Sequence, residues 1–180
     1  MVTEFPLHGE PLAVDLANTV VRHRGREVDL LADPGGRQAW RELQGDRLPA
    51  AAADSEALVA LRDALRELFA AATSGRPAQA HSVALVNRHA ARAELVLEQT
   101  ASGPRPRWTV RDRDADLGLA AVARSAVAVL GGDLGSPLRA CANPACVLFF
   151  ATGDSRRRFC SARTCANRAR QARHRKRHAT

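Results

Sequence analysis

The chain contains no tyrosine, a single methionine and a single lysine, Lys176, and aromatic residues make up only 4% of it. A core so poor in rings has to be filled by aliphatic side chains, here mainly Ala, Leu and Val, and is expected to be largely helical. Nowhere does an uninterrupted apolar run reach the length of about 18 residues that a membrane-spanning helix needs. The segment from Met1 to Val21 carries Glu4, Glu10 and Asp15 and has no basic start followed by an apolar stretch, so it does not read as a secretion signal. A cytoplasmic protein with reduced cysteines is therefore expected, with no membrane partner. Enzyme signatures are missing as well: there is no G-x-S-x-G, H-E-x-x-H, Walker loop or G-x-G-x-x-G. His8, His81 and His89 are scattered, no catalytic residue is assigned, and a non-enzyme is expected.

Two further absences are local. Cysteine is missing outside the 25 residues from Cys141 to Cys165, and no carboxylate side chain follows Asp154. The overall net charge of +8 therefore divides unevenly. Residues 139–180 hold ten arginines and Lys176 against one acid, Asp154, whereas the rest of the chain holds 16 basic and 18 acidic side chains. Surface helices ordinarily mix signs, because like charges one turn apart repel. A one-sign block points to an anionic partner: nucleic acid, an anionic membrane or an acidic protein.

With 180 residues, 46% of them apolar, the chain is long enough for one domain and a small module, placed at 1–135 and 136–180. Leu12, Leu16, Thr19 and Val20 predict a helix over Leu12 to Arg24. Asp33-Pro34-Gly35-Gly36 reads as a turn, with a short helix from Arg37 to Leu43. The clearest helix runs from Asp54, its expected cap, to Thr73, with Leu58, Leu61, Leu65, Leu68 and Phe69 on one stripe. Another is expected from about Ala78 to Arg92, followed by a β-hairpin of Glu94 to Glu98 and Arg107 to Val110 around Ser102-Gly103-Pro104. Asp114 or Asp116 starts a last helix, which Gly131-Gly132 closes; Leu134 to Leu138 is a short hinge. The fold class expected is mainly α with a small β-hairpin, an α+β chain.

The cysteines are spaced C-x4-C-x13-C-x4-C. Structural zinc takes four Cys or His ligands in a tetrahedron, and two short pairs separated by a loop clamp it from both sides. Cys141, Cys146, Cys160 and Cys165 are thus candidate ligands of one structural Zn2+, ahead of two disulfides, unconnected core cysteines or iron. Asn143-Pro144 folds the first pair into a knuckle. Val147 to Phe150 reads as a strand, Gly153-Asp154 as its turn and Arg157 to Phe159 as the return strand, with Phe149, Phe150 and Phe159 in the finger core. The second pair opens a helix capped by Ser161. That order describes a treble-clef-like zinc finger.

Along this helix Ala162, Cys165, Ala166, Ala169 and Ala172 form a small-residue stripe suited to packing on the hairpin. Arg163, Asn167, Arg168, Arg170 and Arg173 lie at the rigid start and suit bases or phosphates, since Arg pairs with guanine or phosphate and Asn with adenine. Arg156, Arg157 and Arg158 in the hairpin and Arg175, Lys176 and Arg177 at the end suit phosphates. The helix lacks an apolar face for a membrane, and the finger lacks exposed rings for stacking on single strands, so duplex DNA is the expected partner. An acidic protein or RNA on the same helix, or an enzyme in the N-terminal part, are the alternatives.

Cys165-Ala166-Asn167-Arg168, preceded by Cys160-Ser161 and followed by an Arg/His-rich helix, resembles the CGNR zinc finger of bacterial proteins. Pro11 to Thr19 (PLAVDLANT) is similar to the L-x-L-D-F-x-N-T opening of the ABATE domain, which precedes that finger. The resemblance implies a bacterial transcription regulator, described as stress-related, whose finger is the DNA-binding end. Ala166 stands where that motif has Gly; at a helical position it is accepted without cost. In the N-terminal part, Asp15, Asn18, Thr19 and Arg22 are candidates for a small-molecule effector pocket, with bridging between neighbouring elements as the alternative role for Asp15 and Asn18.

Overall fold

The computed structural model describes residues 4–49, 55–101, 103–111, 116–132 and 135–177. The expected cap Asp54, the alternative helix start Asp114, and Ser102 and Leu134 lie outside them. Helix α1, Leu12–Ala17, forms the centre, and all six of its residues are buried. Around it pack α3 (Ser55–Ser74) and α5 (Leu117–Gly131), with α4 (Ala80–Ala90) against both. The stripe anticipated on α3 is the inner face: Leu58, Leu61, Leu65, Leu68 and Phe69 are all at most 5% exposed. Helix α5 approaches α1 and α4 through alanines, which allow close contact where bulkier residues would hold the helices apart. Its Asp116 caps the N-terminus by accepting from the Leu119 amide at 3.0 Å.

The first helix is shorter than its spacing suggests. It stops at Ala17, and β1 (Val20–His23) pairs with β2 (Arg26–Asp29) in an antiparallel hairpin. Three local features end the helix. Thr19 turns its hydroxyl back to the Leu16 carbonyl at 2.8 Å, Arg66 of α3 donates to the Ala17 carbonyl at 3.0 Å, and Val20-Val21 favour extended backbone. Arg24-Gly25 then provides a two-residue turn with both residues at positive φ, 49° and 82°, the geometry that matches strand twist.

Asp33-Pro34 is a helix start and not a separate turn. Helix α2, Pro34–Gln44, has Pro at its first position, and the Asp33 carboxylate accepts from the Gly36 amide at 2.9 Å. Gly36 lies so close to the Leu30 carbonyl that a Cβ there would meet its oxygen at 2.0 Å. Helix α2 sends Trp40, fully buried, into the main core. The long hairpin of β3 (Ala93–Thr100) and β4 (Gly103–Val110) follows α4 as expected.

The finger begins with β5, Leu138–Ala140, which pairs antiparallel with β6, Phe149–Ala151, across the knuckle. The strand partner of Phe149 to Ala151 is therefore the segment before the knuckle, and Arg157 to Phe159 form no strand; a backbone bond from the Ala142 amide to the Arg158 carbonyl, 2.9 Å, helps tie that segment in. Because successive strand residues point to opposite faces, β6 serves two cores. Phe149 enters the main core, its ring edge-on to Phe69 at 5.7 Å, whereas Leu148 and Phe150 join Cys160 and Cys165 in the finger core. Among the three phenylalanines expected in the finger core, Phe149 is thus turned to the other side.

Candidate metal centre and nucleic-acid interface

The four cysteine sulfurs lie within 4.8 Å of one another. Cys146 and Cys160 are 3.8 Å apart and Cys160 and Cys165 3.6 Å, too far for disulfides. A tetrahedral zinc with bonds of about 2.3 Å sets sulfur–sulfur edges of about 3.8 Å, so the donor set and its spacing fit that ion. Crowding sets the thiols against one another. Thiol donation from Cys146 and Cys160 holds Cys141 well below the ordinary thiol range, while the Cys141 thiolate pushes Cys146 and Cys160 above it. Four thiolates can coexist at this separation only around a positive ion, and they bind one structural Zn2+.

Local chemistry positions each ligand. The Asn143 side chain, 6% exposed, accepts from the Ala145 amide at 3.0 Å and closes the knuckle. The Cys141 amide donates to the Leu148 carbonyl at 2.9 Å, fastening the knuckle to the strand. Ser161 caps the second pair by accepting from the Thr164 amide at 3.3 Å. Cys165 sits in a wide π turn, Ala162–Ala166, in which the Ala166 amide reaches back to the Ser161 carbonyl at 3.0 Å. Helix α6, Asn167–Arg177, continues directly from it. Arg24 is the only non-glycine residue at positive φ among those described, so Ala166 needs no glycine conformation.

The wide turn changes the phase of the helix. Ala162 and Ala172 of the expected stripe are exposed, Ala166 and Ala169 half-buried, and only Cys165 is buried. An open groove of about 640 Å3, walled by Arg158, Phe159, Arg168, Ala169 and Ala172, lies between α6 and the knuckle where close packing was expected.

The arginines separate into two groups. Arg156, 91% exposed, touches only Asp154, and Arg158, Arg163, Arg168, Arg170 and Arg175 are exposed with no carboxylate partner among the described residues. Asn167 accepts from Arg170 at 3.3 Å. Arg173, Lys176 and Arg177 lie on the backbone of α6, their side chains outside the described part. Arg157 differs: it turns inward, donating to the Cys160 carbonyl and to Glu10, each at 2.8 Å, and lies over the Phe150 ring at 4.6 Å. It braces the metal loop where a phosphate contact was expected.

Glu10, 4% exposed, and Asn18, 1% exposed, fasten the finger to the first domain. Asn18 accepts from the Phe149 amide at 2.8 Å and donates to its carbonyl at 2.9 Å, and Glu10 accepts from the Ala151 amide at 2.8 Å. Together they satisfy the free edge of β6 as a neighbouring strand would. The other effector-pocket candidates are also engaged internally. Asp15, buried, accepts from Arg47 at 2.7 Å; burial pushes its carboxyl up to about 6 despite that partner. Thr19 bonds back to Leu16 of α1, and Arg22 bridges Glu27 at 3.0 Å and the Pro144 carbonyl at 3.3 Å. Arg22 lines a cleft of about 530 Å3 that it shares with Val21, Leu148, Arg163 and Arg168. Glu10 and Arg47 were not legible as site residues, since their partners stand far away in the chain.

A helical domain clamped onto a four-thiolate finger with an exposed cationic helix is the architecture of a zinc-finger protein with a built-in positioning domain. Comparison with protein families places it: residues 10–133 match ABATE, described as "Putative stress-induced transcription regulator", and residues 138–178 match the CGNR zinc finger. The chain belongs to the ABATE family and carries a CGNR finger at its C-terminal side. A search of curated proteins finds no match. Among the described residues no helix is long and apolar enough to cross a membrane.

Proposed function

We propose that the protein is a transcription regulator that binds duplex DNA through its finger. One observation carries this reading: α6 and the loop before it present Arg156, Arg158, Arg163, Arg168, Arg170 and Arg175 to solvent with only Asp154 to balance them. Such a surface is repulsive on its own and is relieved by a row of phosphates. Zinc contributes structure: four thiolates leave no position for a reacting water, and the closed site aims the helix. Arg163, between the last two ligands, and Asn167 and Arg168, just past the last one, stand where base edges are read, and the remaining arginines grip the backbone.

The competing reading is an adaptor whose basic helix docks an acidic protein. Gel shifts of the zinc-loaded chain on random duplex DNA at about 0.15 M salt separate the two. The DNA reading expects retention that disappears when a chelator removes the zinc; an adaptor leaves the duplex unshifted in both states.

A further inference from the structure

The β1–β2 hairpin carries a second cationic cluster, Arg22-His23-Arg24-Gly25-Arg26, and residues 23–26 are all exposed. Arg22 engages Glu27, while His23, Arg24 and Arg26 have no carboxylate partner among the described residues. The hairpin is anchored to the finger. Val21 packs into the finger core, and Arg22 donates to Pro144 in the knuckle. Phe5 lines both the cleft of Arg22, Arg163 and Arg168 and a neighbouring one of about 870 Å3 that His23 and Arg24 share with Asp29 and Asp33, so the hairpin tip and the base of α6 adjoin.

The tip is also strained. Arg24 holds φ at 49°, a conformation that glycine or asparagine adopts cheaply and a long side chain does not. A charged side chain held at a strained turn is an outlier from which a role for that side chain is argued. Strands of four residues span about 13 Å and carry the exposed residues 23–26 at their end.

From these observations we propose that the β1–β2 hairpin is a basic wing that contacts the phosphates of the same DNA duplex as α6, through His23, Arg24 and Arg26. This rests on the DNA-binding reading. Duplex DNA presents a charge about every 1.7 Å along its axis, so neighbouring phosphates serve both elements at once. The first domain then holds the finger and also adds to its footprint.

The test is a salt series of fluorescence-anisotropy titrations with a random duplex of about 20 base pairs, long enough for both elements to engage. It compares the zinc-loaded full chain with the double variant R24Q/R26Q and with Arg24→Gly. The double variant is expected to lose about ten-fold in affinity at about 0.1 M salt and to flatten the log–log salt slope by roughly 2, with zinc content unchanged. Arg24→Gly is expected to raise Tm, because the turn is relieved, and yet to weaken DNA binding, a pairing that a purely structural Arg24 does not produce. If the parent chain binds with a steep slope and both variants match it, the wing is overturned and the finger reading stands. A parent chain that binds no duplex overturns both.

Discussion

At the scale of single residues, the polar groups in α1 explain how an apolar helix can carry a joint. Asp15 and Asn18 are visible in the sequence as polar residues on an apolar segment, but not what they touch. Asn18 pairs with Phe149, 131 positions away, and a pairing so distant leaves no local pattern to read. Replacing Asn18 with Ala leaves a buried amide and carbonyl of Phe149 without partners, and is expected to cost about 2–4 kcal/mol in chemical unfolding. A loss below about 0.5 kcal/mol contradicts the bridging role. Asp15 gives a pH signature. Its folded value of about 6 lies above its ordinary 3.8, so the folded state holds its proton across the interval between them. That contribution is full below the unfolded value and is lost as pH rises through about 6. Relative to Asp15→Asn, the parent chain is expected to lose roughly 1 kcal/mol of stability between about pH 5 and about pH 7.5. Denaturation curves at the two pH values check this, and a constant difference between the proteins contradicts it.

At the scale of elements, what was legible and what was not divide by the range of the interactions. Helices α3, α4 and α5 and the long hairpin follow from periodicity and local start and stop signals, all encoded within a few residues; Gly103 and Pro104, expected in the hairpin turn, instead open β4. The β1–β2 hairpin was hidden because Leu12, Leu16, Thr19 and Val20 hold helical spacing up to its first residue; the Arg24-Gly25 turn was the signal that distinguishes it. The return strand at Arg157 to Phe159 did not form because β6 takes β5 on one side and Asn18 and Glu10 on the other. The alternation of β6 between two cores makes adjacent phenylalanines separable by experiment. Phe149→Ala is expected to cost about 3–5 kcal/mol of folding stability, since it empties the main core beside Phe69. Phe150→Ala is expected to act chiefly on the finger, appearing as faster zinc loss to a colorimetric chelator. Equal rates of zinc loss in the two variants contradict the division.

At the scale of the molecule, the four-cysteine spacing made the metal centre fully legible, because tetrahedral coordination constrains spacing more tightly than packing constrains any core position. The orientation of the finger was not legible, because buried Glu10, Asn18 and Phe149 fix it through long-range contacts. The first domain does more than precede the finger: it completes the edge of β6 and braces Arg157, which in turn holds the carbonyl of ligand Cys160. Zinc removal should therefore loosen the junction as well as the finger, seen as increased amide exchange at Phe149 and Ala151 together with the knuckle; increased exchange in the knuckle and at Cys160 to Cys165 with Phe149 and Ala151 unchanged contradicts that coupling. The central claim concerns the exposed arginines, and the salt dependence of duplex binding tests it most directly. With about six phosphates neutralised, the slope of log affinity against log salt is predicted to be roughly −5 or steeper for the zinc-loaded chain. A slope near zero contradicts the account.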